Sequence, residues 1–250
     1  RRTLASLLVG VSSFGLIQKV DAEPMPVIAN VQITVDGAGY LLPAASADKI
    51  VYTRNNVLYK INIDGTDNAL LTIPGYGPAF HPDGQSIIYN TSSTWDIQSI
   101  NIDGTNQHAI LEINAVRPSY SRDGFQIVFS ECSLTIKIMN SNGTNIVPLV
   151  EGNASFPIFN FAGNKILYYA YPDINTMNPD GTSQQYTGLS MGDYNTFEKM
   201  DRWILFNNLS QGSYSMYSYD TLDGSINFLA NGRHPSLSTD GNFIVYEGID

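Results

Sequence analysis

Three histidines, His81, His108 and His234, are the side chains best suited to acid–base or metal chemistry near neutral pH. None stands at metal-pair spacing to another histidine or to a cysteine, so no metal site is assigned. His81 and His234 both fall near the first strand of a repeat unit, in two distant segments. A closed ring of such segments would bring them, with Arg117, toward a common axis. His108 lies on an outer segment and is expected at the surface. Gly188-Leu189-Ser190-Met191-Gly192 matches the G-x-S-x-G of a nucleophile elbow, and Asp220, Asp240 and His234 follow it in hydrolase order. The elbow needs a strand before the serine and a helix after it. Here it falls in a connection between two strand-rich units, and Ser190 is read as a loop residue. Cys132, the sole cysteine, excludes an internal disulfide and is expected to be buried or half-buried. These readings leave no catalytic residue, no metal and no cofactor.

An internal repeat is what must position these side chains. "INIDGT" occurs at Ile61–Thr66 and again at Ile100–Thr105. Asp-Gly or Asn-Gly recurs after an alternating run at Asp36, Asp64, Asp103, Asn142, Asp180 and Asp223. Such dipeptides between alternating runs mark hairpin turns, because glycine accepts positive φ freely. A second marker, Pro-x4-Asp, runs in step at Pro43, Pro78, Pro118 and Pro235, with worn copies at Pro157 and Thr196. Each copy precedes an apolar triplet ending in an aromatic, as in Ile50-Val51-Tyr52, Ile87-Ile88-Tyr89 and Ile244-Val245-Tyr246. Each unit therefore reads as four strands: A around the proline, B at the triplet, then C and D joined by the Asp-Gly turn. Triplets apolar on both faces fit sheets sandwiched between neighbours. Four-strand units repeating near 40 residues predict an all-β propeller of six blades. The unit from Pro235 has only A and B, so Val31–Val35 is expected to supply its strand C, with a short or absent strand D. The last blade is thus completed by an N-terminal strand, which removes open edges.

The chain ends bear on location. Arg1-Arg2, an apolar run over Leu4–Ile17 and small residues around Ala22 read as a secretory signal peptide, residues 1–22, before a single propeller domain, residues 23–250. Removing residues 1–22 takes away three positive charges and one negative, so the formal charge goes from −10 to −12. So acidic a chain repels nucleic acid and anionic surfaces. A periplasmic or secreted monomer is expected, with no nucleic-acid partner and no membrane insertion after cleavage.

The segments "FHPDGQSIIY" (Phe80–Tyr89), "YSRDGFQIVF" (Tyr120–Phe129) and "IKIMNSNGT" (Ile136–Thr144) resemble the WD40-like propeller repeats of the TolB type, over about Val31 to Asp250. That resemblance implies a scaffold that binds envelope proteins, with short peptide segments docking at the channel mouth. The resemblance covers the propeller alone; no match to the α/β domain that precedes it in TolB is expected between Ala22 and the first strand. Strand direction puts the Asp-Gly turns on one face and the irregular B–C and D–A loops on the other, where binding is expected. The residues before each repeat's proline, Leu42, Gly77, Arg117, Phe156, Asn195 and His234, are expected to ring the channel mouth on that face. Tyr76, Trp95, Tyr171, Tyr194 and Tyr214 are expected nearby. The functional expectation is a non-catalytic scaffold for a protein or peptide partner, using Arg117, Phe156, Asn195, His234 and His81. The alternative is a carbohydrate-binding or polysaccharide-degrading propeller with His81, Arg117 and His234 in the channel.

Overall fold

The apolar triplets are the least exposed part of the chain. Ile50-Val51-Tyr52, Ile87-Ile88-Tyr89 and Ile127-Val128-Phe129 are all fully inaccessible, and burying each such side chain contributes roughly 1.5–3 kcal/mol. Their burial on both faces requires sheets stacked face to face around an axis. The computed structural model describes residues 13–19, 27–34, 42–72, 74–190, 197–199, 203–210, 213–221 and 223–248. Among the described residues every regular element is a strand, and no helix is long and apolar enough to cross a membrane.

The strands form an all-β propeller. Its first four sheets each contain four antiparallel strands in chain order from the inside out. The first is built from Leu42–Ala45, Lys49–Arg54, Val57–Asn62 and Ala69–Thr72. The next three have inner strands Tyr76–Phe80, Ala115–Tyr120 and Ala154–Phe159. Units A to D thus fall where the repeat put them. "INIDGT" serves the same purpose in both copies: Ile61 and Ile100 are buried, while Thr66 and Thr105 each donate from backbone and hydroxyl to Asp64 and Asp103. Gly65 and Gly104 take the positive φ of the turn.

The blade count differs from the expected six. The remaining strands form one seven-stranded sheet, giving five sheets in all. The cause is Ile226–Leu237, a single 12-residue strand. Its first half pairs with Ser213–Asp220, and its second half pairs with Phe243–Gly248. The connection from strand D to the next strand A, expected to be an irregular loop, is here continuous strand. Gly232 makes this possible, since a Cβ there would lie 2.5 Å from the Tyr246 ring and 2.8 Å from the Glu247 carbonyl oxygen. The long sheet bends back on itself, so Trp203, Leu205 and Met216 pack with Ile244 and Tyr246 in one cluster.

The N-terminal completion also differs in detail. Ser13–Lys19, read as part of the leader, pairs antiparallel with Phe243–Gly248. Val27–Thr34 then pairs with Ser13–Lys19 and is the outermost strand. The expected strand C therefore occupies the edge position, and the outer strand is present rather than missing. Both segments alternate and both can satisfy an edge, so spacing to Asp36-Gly37 could not choose between them. Residues 1–12 and the expected cleavage point at Ala22 lie outside the described residues. The ring closes through Val245, which packs with Ala45, Ile50, Tyr52 and Ile61 of the first sheet.

Candidate functional site

The inner strands enclose an axial channel of about 240 Å³. Its wall mixes apolar and polar groups, with Pro43, Pro78, Pro118, Pro157 and Pro235 all contributing. Four of these prolines form β-bulges. In Ala115–Tyr120, Arg117 and Pro118 together oppose the single residue Phe129. The same two-against-one register shift occurs at Gly77-Pro78, Phe156-Pro157 and His234-Pro235. The aromatic that ends each apolar triplet is the residue facing the bulge.

A bulge re-aims the side chain it carries, and here the first bulge residue is left-handed each time. The φ values are +58° for Gly77, +56° for Arg117, +53° for Phe156 and +54° for His234. For a residue bearing a Cβ this conformation costs about 1–2 kcal/mol, and a following proline disfavours helical backbone further. The strain is held by the preceding blade. Arg117 donates its backbone N–H to the Asn90 Oδ1 at 3.2 Å, while the Asn90 amide donates to the Ala115 carbonyl at 2.6 Å. Gly77 donates to the Thr53 hydroxyl at 3.1 Å, and His234 to the Asn207 Oδ1 at 3.4 Å. Thr53, Asn90 and Asn207 each follow an apolar triplet directly and each is buried. Sequence reasoning passed over these latches. The available signal was a polar residue closing an otherwise apolar strand B.

Arg117, Phe156 and His234 all line the channel, as do Leu42 and Gly77. Asn195 and Tyr194 lie outside the described residues. The Arg117 guanidinium sits 5.1 Å from the Phe156 ring centre and 6.0 Å from that of Tyr76. Burial pushes it below its ordinary value, and only Tyr76 opposes that shift. Among the described residues Arg117 has no carboxylate partner. His234 has one. Its Nδ1 donates to the Glu247 Oε2 at 3.0 Å. Arg233 adds two bonds to the same carboxylate, from Nε at 2.9 Å and from a terminal nitrogen at 2.7 Å. Burial alone would raise Glu247; the hydrogen bonds and charges of His234 and Arg233 override it and hold the carboxyl below its usual range. His234 is lowered, chiefly by burial, with Arg117 and Arg233 adding to the effect against Glu247. A carboxylate only accepts, so the neutral ring carries its proton on Nδ1 and keeps Nε2 as an acceptor. Glu247, the residue after the last triplet, was also missed.

His81 does not join this group. It follows strand A of its blade, beside the A–B turn, and is absent from the channel wall. Its Nδ1 lies 2.9 Å from Asp83, and its ring meets Tyr120 edge-on at 4.9 Å. Burial, with a smaller contribution from Asp83, pushes Tyr120 up to about 12. The shared strand-A position of His81 and His234 concealed a difference of one strand length, which places them at opposite ends of the blades. The turn end of the channel is crossed by Arg122, which stacks 4.2 Å from Phe161 and donates to the Thr239 carbonyl of the long sheet.

The other candidates separate as well. Ser190 ends strand Gln185–Ser190, an outer strand paired with Asp173–Met177, away from the inner strand that carries His234. His108 is exposed as expected. Cys132 is exposed rather than buried, because it sits in the B–C turn of its blade, beyond the end of strand B. Tyr171 is exposed, whereas Tyr76, Trp95 and Tyr214 are half-buried. No group of three or more metal-ligating side chains occurs among the described residues.

No protein-family model and no curated protein matches the chain in sequence. Similarity lies in the fold. The structure of a putative TolB from Agrobacterium tumefaciens matches with TM-score 0.77 at 14% identity, over 95% of this chain and 98% of that one. TolB from Acinetobacter baumannii matches with TM-score 0.64 at 17% identity, over 84% of this chain and 65% of that one. An oligogalacturonate lyase in complex with manganese matches with TM-score 0.60 at 13% identity, over 88% and 80%. The chain is thus a TolB-like β-propeller in architecture.

Proposed function

We propose that this chain is a non-catalytic, exported propeller scaffold that binds a protein or peptide partner at the channel mouth between the B–C and D–A loops. The observation that carries the reading is Arg117, a cation with no carboxylate partner among the described residues, on the channel wall and flanked by two aromatic rings. Arginine beside aromatics is the combination most enriched where partners bind tightly. Phe156 and His234 share the site, and the proposal includes Asn195 from its matching position in the sequence repeat. The similarity to TolB structures supports the scaffold reading at the level of fold. On this reading the protein works in the periplasm or outside the cell as a monomer, with residues 1–22 removed. That removal takes away Ser13–Lys19 and leaves Val27–Thr34 to pair with Phe243–Gly248.

The test is recovery from the native envelope. Mass spectrometry of the recovered protein should give an N-terminus at Glu23. Capture with the wild-type protein should retain a partner that Arg117→Gly loses. Equal capture by both proteins overturns the assignment of the mouth. A second reading, a propeller acting on acidic polysaccharide, draws on the lyase-like fold and on the same cation. Turnover of oligogalacturonate by the purified protein would replace the scaffold reading.

A further inference from the structure

We propose that the open end of the channel is a receptor for the carboxylate of a peptide C-terminus, with Arg117 holding the carboxylate and the His234 Nε2 accepting the adjoining amide N–H. The proposal rests on the peptide-binding reading for the source of the carboxylate, but the chemistry is argued from the site itself.

Arg117 is half-buried, and a guanidinium that gives up part of its hydration regains it from an anion or from hydrogen bonds. Arg117 makes no side-chain hydrogen bond and no ion pair among the described residues; its contacts are the faces of Tyr76 and Phe156. Those faces stabilise the cation modestly, hold the planar group in one orientation and leave its donors free. A planar fork of donors matches a carboxylate's two oxygens. His234 supplies the second element. Its Nδ1 is committed to Glu247, which Arg233 holds from the other side. The ring is therefore fixed, and Nε2 is the polar atom it has left, able to accept an N–H. A terminal peptide unit presents a carboxylate and an N–H donor a few ångströms apart, which matches a fork of donors beside a single acceptor.

Shape favours a chain end over a threaded polymer. The channel holds about 240 Å³, and Arg122, stacked on Phe161 and bonded to Thr239, crosses its turn end. The prolines and Phe156 around the mouth offer contact for an apolar terminal side chain.

The experiment follows the arginine side-chain resonances of ¹⁵N-labelled full-length protein during titration with N-acetylphenylalanine, N-acetylphenylalaninamide, acetate and trigalacturonate. Arg117→Gly assigns the relevant signal. Glycine is chosen because Gly77 occupies the same left-handed position one blade earlier, so that variant keeps its fold, which its melting temperature verifies. Saturable binding of N-acetylphenylalanine, weaker by about tenfold or more for the amide and lost in Arg117→Gly, establishes the site. His234→Gln should weaken N-acetylphenylalanine more than acetate, because acetate has no N–H to give. Equal binding of acid and amide, or no shift with any ligand, overturns the carboxylate site and leaves the scaffold reading to the capture experiment. Saturable binding of trigalacturonate without N-acetylphenylalanine overturns both.

Discussion

Glu247→Gln is the sharpest single perturbation of the channel mouth. The Glu247 carboxylate is 3% exposed and accepts three hydrogen bonds, two from Arg233 and one from His234. Glutamine has nearly the same shape, but it keeps one accepting oxygen and points an NH₂ at a donor. The Arg233 cation, with its side chain 17% exposed, then loses the negative charge of this carboxylate and one of the two oxygens it donates to. Breaking one side of a buried pair costs about 3–5 kcal/mol. Taking about 3 kcal/mol, a domain of this size should lose about 6–12 °C of melting temperature. Calorimetry at pH 7 measures it, with urea unfolding as a second readout of the same quantity. The double variant Arg233→Met/Glu247→Leu should recover most of the loss, because replacing both charges by packed apolar groups is often neutral. A single-variant shift within about 2 °C, or a double variant no better than the single, would refute the account of this cluster as a buried ion pair that braces His234.

Three further outcomes follow from the same geometry. Asn90→Ala strands the Arg117 N–H and the Ala115 carbonyl, so denaturant unfolding should show a loss of about 1–3 kcal/mol, whereas removing the exposed Asn142 amide should show little. Gly232→Ala places a methyl against Tyr246 and the Glu247 carbonyl and should destabilise by about 1–3 kcal/mol, detectable as a lower urea midpoint. Stability should also fall as pH drops from 7. His234 is depressed below 6.5, so the unfolded chain takes up that proton first and the loss starts near 6.5. Glu247 is depressed below 4.5, so its contribution is present above 4.5 and disappears as pH falls through the folded-state value. In His234→Gln the upper part of that decline should vanish in pH-dependent melting curves.

Much of the architecture was legible from local chemistry. The Asp-Gly turns need a residue free to take positive φ, and the structure puts Gly65, Gly104, Gly143, Gly181 and Gly224 there. The triplets were apolar on both faces because each strand B has a sheet on either side, and that symmetry is written in composition alone. The pre-proline ring follows from strand direction, which makes Arg117, Phe156 and His234 legible in the sequence as channel-lining residues.

What escaped the sequence depends on contacts between distant segments. A proline argues against helical backbone in the residue before it, so the left-handed bulges at Arg117, Phe156 and His234 run against local preference; Arg117 and His234 are held there by Asn90 and Asn207 from other strands. Glu247 looked like the end of a strand; its importance comes from Arg233 and His234, brought to it by sheet pairing. His81 and His234 both lie near strand A of their units but at opposite ends of it. The merging of two repeat units into a seven-stranded sheet turns on the fit of Gly232 against Tyr246, a packing event that no periodicity records. The choice of Ser13–Lys19 over Val27–Thr34 as the neighbour of Phe243–Gly248 is a competition between two alternating strands for one edge. Turn chemistry and burial pattern are properties of a few consecutive residues and survive in the sequence. Strain, latching and edge competition are set by which residues meet across blades, and only the closed ring decides that.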